Sequence, residues 1–223
     1  MEGINVESIF RSRRKTVSLE ITDRGTLIVK APFSMSNKEI YKIIEKHKNW
    51  ISKKIAIALA KEKPLKRAFT EGENFLYLGK PYRLFFSDTQ SEDLKFENAF
   101  YLKKDKIDSA KEVFINWYKK EAKRFILERL DYYVRLTGIN YNKVKITSAM
   151  KRWGSCSRNR NLSFSYRLIM APTFVIDYVI VHELCHVVVF NHSKEFWEHV
   201  RVILPNFEDA KNWLKEKGQT LNI

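Results

Sequence analysis

The clearest chemistry in the chain lies in His182-Glu183-Leu184-Cys185-His186, an H-E-x-x-H pattern. On an α-helix four residues advance about 400°, so the two imidazoles leave one face, a turn apart. Two neutral ring nitrogens at that separation can fill two corners of a tetrahedral Zn²⁺ site. Glu183 follows the first histidine by one position. Its carboxylate then sits beside the open corner where water would bind, placed to act as general base and acid. The flanking runs, Tyr178-Val179-Ile180-Val181 and Val187-Val188-Val189-Phe190, are strongly apolar. Burying two histidines and a glutamate there is costly without partners, and a metal ion is the simplest compensation.

A catalytic zinc takes three protein ligands and keeps one position open. His192, Glu195 and His199 all follow closely enough to supply the third. On an unbroken helix His192 would lie about 80° off the face of His182. The chain is therefore expected to turn after about Val189, with Asn191 in the left-handed conformation that ends helices and Ser193 capping a new one. Such a turn makes His192 the preferred third ligand, with Glu195 or His199 as substitutes. The spacing to His192 coincides with that of metzincins, yet position 189 is Val rather than Gly and no methionine follows Met170. Cys185 projects about 100° around the helix from His186 and reads as packing. Cys156 would reach the metal only by folding of its loop, and would then close a structural four-ligand site. Tyr166, Tyr178 and Arg152 are side chains of the type that stabilise a developing oxyanion.

The elements that must hold these groups follow from periodicity. Residues 6–31 read as a β-hairpin around Asp23-Arg24-Gly25, with Val17, Leu19, Ile21, Leu27 and Val29 alternating. Ser36-Asn37 starts a helix whose stripe runs Ile40, Ile43, Ile44, His47, Trp50, Ile51 and Ile55, closed by Pro64. Phe75–Phe86 carries a strand-turn-strand signal at Leu78-Gly79, and Phe96–Leu102 reads as one further strand. An amphipathic helix covers about 108–136 and ends at Gly138. Val144–Met150 and Asn161–Met170 read as strands separated by a loop at Trp153–Ser157. Helices then cover about Phe174–Val189, Ser193–Leu204 and Asn206–Lys217. Phe164-Ser165-Tyr166 is a candidate edge for pairing with an extended substrate. The expected class is α+β, with a β-rich N-terminal part over 1–105 carrying one amphipathic helix and a second domain over 106–223.

Composition narrows the function classes. The 223 residues are 44% hydrophobic and 30% charged, so the chain can bury a core and is not disordered. Two cysteines are too few for a disulfide framework, and no run is long enough for a membrane span or a secretory signal. A soluble cytoplasmic protein is expected. Residues 1–68 hold 16 Lys+Arg against 7 Asp+Glu, which gives +9 of the net +15. That excess admits nucleic acid as a partner.

Further segments give the pattern a family. Arg152-Trp153-Gly154-Ser155-Cys156-Ser157, Arg167-Leu168-Ile169-Met170-Ala171-Pro172, the H-E-x-x-H segment, Asn191-His192-Ser193 and Phe196-Trp197 together resemble the YgjP-like metallopeptidase family, which is related to the SprT-like zinc proteases. Arg13-Arg14-Lys15-Thr16, Trp50-Ile51 and Tyr77-Leu78-Gly79 extend the resemblance over nearly the whole chain. It implies a zincin-like C-terminal domain, zinc ligands at His182, His186 and His192, Glu183 as catalytic acid/base, and a protein or peptide substrate. Cys185 stands where a small residue, often Ala, is expected. Some SprT-like proteins act on DNA-bound proteins. This supports, as an alternative, a nucleic-acid-binding or nucleic-acid-directed protein whose zinc domain is accessory.

Overall fold

The computed structural model describes residues 4–22, 24–60 and 67–223, which form two compact units, Met1–Lys63 and Pro64–Ile223. In the first unit, β1 (Val6–Ser12), β2 (Ser18–Ile21) and β3 (Leu27–Pro32) form a sheet in the order β1-β3-β2. β2 and β3 make the expected hairpin, and Gly25 takes φ +74° in its turn; Asp23 lies outside the described residues. β1 is not part of a hairpin, because it pairs parallel to β3. Leu27, Val29 and Ala31 alternate inward, and Ile40, Ile44 and Ile51 complete this core. Ser36 and Glu39 form a reciprocal capping box at the start of α1 (Asn37–Lys46). The single helix expected here is two, since α2 (Lys48–Ala60) restarts after His47. Pro64, expected to close it, lies outside the described residues.

The second unit holds β4 (Asn74–Tyr77), β5 (Lys80–Ser87), β6 (Leu94–Phe96) and β7 (Phe100–Lys103) in the order β4-β5-β7-β6. The segment read as one strand over 96–102 is two, turned at Asn98 with φ +56°. This sheet stacks Phe75, Phe96 and Phe100 on Phe114 and Trp117 of α3 (Ala110–Thr137), with ring centroids 4.3–5.7 Å apart. These aromatics share one core with the C-terminal helices, so the compact boundary falls at residues 63 and 64, not near 105. α3 ends as expected, with Gly138 left-handed.

β8 (Lys143–Thr147), β9 (Gly154–Cys156) and β10 (Asn161–Ser165) form a third sheet in the order β8-β10-β9. The loop read at 153–157 thus contains a short strand, and β10 is central, paired on both sides. It cannot take up a substrate strand; β8 and β9 are the edges. Residues Tyr166–Met170, read as more strand, form a buried 3₁₀ turn. It leads into α4 (Thr173–Cys185), followed by α5 (Lys194–Ile203) and α6 (Phe207–Lys217). Ten side chains of α4 are buried, and it lies against α3, β9, α5 and α6. Among the described residues no helix is long and apolar enough to cross a membrane.

Two devices fix α4. At its start, the β4–β5 turn donates Leu78 and Gly79 N–H to the carbonyls of Ile169 and Met170, at 2.9 and 3.1 Å. A Cβ on Gly79 would stand 2.8 Å from Pro172 Cα, so only glycine permits that approach. Further along, Arg129 of α3 binds Asp177 through two hydrogen bonds of 2.7 and 2.8 Å.

Candidate metal centre

His182 stands in the last turn of α4 and His186 is its C-cap, still helical at φ −66°. The i, i+4 relation read from sequence is therefore kept. The helix stops earlier than expected, and a tightened turn follows, with Val187 and Val188 N–H bonded three residues back. Asn191 does not adopt the left-handed conformation. Its side-chain oxygen instead accepts from the Ser193 N–H at 3.1 Å, and Ser193 caps α5 by accepting from Phe196 N–H.

This turn swings His192 back over the helix. Its Nε2 lies 3.0 Å from His182 Nε2 and 3.2 Å from His186 Nε2. Among the described residues these three histidines form the one group able to hold a metal ion, their ligand atoms all within 4.8 Å of one another. Glu195, His199 and Cys156 do not join it, so no closed four-ligand site forms.

The ring orientations suit a cation. His186 Nδ1 lies 3.0 Å from the Val189 carbonyl, which can only accept. The proton is therefore on Nδ1, and Nε2 points its lone pair at the other rings. His182 is held neutral, pushed down to about 3 by burial and by the neighbouring His186, His192 and Lys211. Its buried Nδ1 has no hydrogen-bond partner. Two nitrogens bound at zinc distances in a tetrahedron stand about 3.3 Å apart, close to both separations here. A cation among the three nitrogens would take a lone pair from each ring. The residues present fit Zn²⁺.

Aromatic rings back the triad. Phe196 stacks on His186 at 4.4 Å, and Trp197 on His192 at 5.6 Å. Glu183 leaves α4 on another side and packs against β9, only 5% exposed. A Cβ on Gly154 would stand 2.6 Å from Glu183 Cγ and Oε1, so this glycine makes room for the carboxylate. Burial pushes the Glu183 carboxyl up to about 8, opposed by the positive charge of Arg152. Its Oε2 is buried without a partner.

A cleft of about 290 Å³ opens over His182 and Glu183, walled by Trp153, Tyr178, Val179 and Leu214, with Lys211 at its side. The Trp153 ring is held between Gly218 and the buried Arg167, whose guanidinium lies 4.9 Å from the ring and donates to the Leu221 and Met150 carbonyls. Of the donor types named from sequence, Tyr178 lines this cleft and Arg152 acts on Glu183, while Tyr166 is buried in the preceding turn. Cys185 is fully buried, as packing requires. Sequence reasoning had no account of Gly154 or Lys211. The one available signal was a lysine on the otherwise apolar stripe Phe207, Ala210, Leu214.

The crystal structure of the metallopeptidase zymogen of Pyrococcus abyssi abylysin is similar over 42% of this chain and 95% of that one, with 18% identity and a TM-score of 0.39. No curated protein matches the chain. A family model described as "YgjP-like, metallopeptidase domain" matches residues 15–217. With that match over most of its length, the chain belongs to the YgjP-like metallopeptidase family.

Proposed function

We propose that the protein is a zinc-dependent peptidase of zincin-like build, in which His182, His186 and His192 hold the metal and Glu183 is the general base and acid. The observation that carries this reading is the convergence of three Nε2 atoms beside a cleft that also contains a buried carboxyl. When bound, Zn²⁺ supplies Lewis acidity toward a carbonyl and a lowered pKa for a water, and its charge favours the ionised form of Glu183. Glu183 takes a proton from the attacking water and returns it to the leaving amine. Its buried setting keeps its proton affinity near neutrality, where both transfers are efficient. The Val189 carbonyl fixes the His186 ring, while Phe196 and Trp197 fix the other faces of the triad. β9 is an edge strand beside Glu183, and an extended peptide can add to it by main-chain hydrogen bonds. Two free cysteines suit a reducing, cytoplasmic setting.

The test compares wild type, Glu183→Gln and His192→Ala for zinc content and for cleavage of an unfolded protein. Glu183→Gln is expected to keep zinc and lose turnover by roughly a hundredfold or more, and His192→Ala to lose zinc. Equal cleavage by wild type and Glu183→Gln would remove Glu183 from the mechanism. Absence of zinc from the wild type would remove the metal site.

A second reading concerns the first unit alone. Phe10, Phe33 and Trp50 are exposed there amid the basic residues, a combination that suits stacking on single-stranded nucleic acid. Retention on single-stranded DNA that falls steeply with salt is expected, and no retention at low salt would dismiss it.

A further inference from the structure

We propose that Lys211 reads a carboxylate on the substrate next to the scissile bond, making the cleft selective for acidic peptide segments or for a free C-terminus. This rests on the peptidase reading above and deepens it. Lys211 stands midway along α6. Phe207 and Ala210 are buried and Leu214 lines the cleft, so residues at spacings of three and four mark the inward face. Lys211, four after Phe207, is itself exposed and lines the cleft together with Leu214. Beside Leu214, the α6 wall of the cleft therefore carries an ammonium.

The ammonium is directed at the site. Its Nζ lies 4.5 Å from the Trp197 ring centroid, and Trp197 stacks on His192. Other lysines of the chain, Lys95 and Lys104 for example, sit 2.7 Å from a carboxylate, whereas Lys211 is in no ion pair among the described residues. A positive charge beside three converging nitrogens weakens the site for any cation. An unpaired cation at the rim of an aromatic-walled cleft does attract anions. Lys211 lines the same cleft as His182 and Glu183, so it faces the part of a substrate that lies beside them.

The test uses the full chain loaded with zinc, with fluorescent peptides matched except for charge. One arm places Glu, Gln or Lys on either side of the scissile bond in end-blocked peptides. The other compares a free C-terminal carboxylate with the amide. Dissociation constants and cleavage are read for wild type, Lys211→Glu and Lys211→Arg. Wild type is expected to favour the carboxylate in one arm by roughly five- to tenfold, Lys211→Arg to keep that preference, and Lys211→Glu to reverse it toward the Lys peptide. The arm that responds identifies the carboxylate's source. The same charge preference in wild type and Lys211→Glu would overturn the proposal, as would a loss of equal factor on every peptide. Charge-dependent binding without any cleavage would support it while removing the peptidase reading.

Discussion

Gly154 and Glu183 are closely apposed, and that contact limits how far the proposed general base can wander. A methyl group at position 154 would stand 2.6 Å from Glu183 Cγ and Oε1, well inside van der Waals distance. Neither side yields cheaply, because Gly154 is strand backbone paired to Phe164 and Glu183 is 5% exposed on a packed helix. Gly154→Ala is therefore expected to displace the carboxylate by about an ångström while leaving the histidine triad intact. Displacement of that size costs roughly tenfold to a hundredfold in turnover. Zinc content equal to wild type, with kcat/KM reduced by that factor, is the expected pair of measurements. Full activity in Gly154→Ala would mean that Glu183 is not held by β9. The two helical histidines were legible in the sequence because a four-residue spacing on a helix fixes direction without reference to the rest of the fold. Gly154 was visible only as part of a resemblance. Its role depends on a contact with a residue 29 positions away, and no local pattern encodes such a contact.

Helix α4 carries both the first metal-ligand candidates and the proposed general base, so its seating governs the geometry of the cleft. The Arg129–Asp177 pair joins it to α3 by two charge-assisted bonds, with Arg129 also lying 4.9 Å from the Tyr132 ring. Asp177→Ala leaves a largely buried guanidinium without its carboxylate, a loss worth about 2–4 kcal/mol. A urea midpoint lowered to that extent, with zinc still bound, is expected; a loss under about 1 kcal/mol would class the pair with surface ion pairs. Much of this layer was readable. Ser36, Gly138 and Ser193 mark helix ends by side-chain or backbone chemistry that acts within a few residues, and the observed ends follow them. The misreadings have a shared cause. Tyr166–Met170 is buried throughout, so it shows no alternation that would separate a strand from a 3₁₀ turn. The pairing of β1 with β3 is parallel and nonlocal, and its register is written in the partner rather than in the strand. The return of His192 depends on the Asn191 and Ser193 turn, which residue types could suggest but not orient.

At the scale of the molecule, the core of the second unit buries Tyr77, Tyr118, Tyr133, Tyr166 and Tyr178, and this sets its response to alkali. Tyr118 is fully buried, donates its hydroxyl to the Leu76 carbonyl at 2.7 Å, and has its pKa raised strongly by burial. Tyr133 is raised to about 12, first by burial and then by the charge of Asp177. A hydroxyl whose pKa is higher in the folded state than in the unfolded chain binds its proton more tightly when native. Its contribution to stability is complete below the unfolded value near 10 and drains away as pH rises through the folded value. The second unit should therefore unfold cooperatively between about pH 10 and pH 12, with tyrosinate absorbance appearing together with loss of helical circular dichroism. Tyr118→Phe removes the largest of these linkages. It also leaves the Leu76 carbonyl without its donor, which costs about 1–3 kcal/mol at neutral pH. The variant is thus expected to be less stable than wild type at pH 8, and the gap should narrow as pH passes 10. Parallel curves for the two proteins across that window, or tyrosinate appearing smoothly while the helices persist, would show that these hydroxyls reach water in the native state.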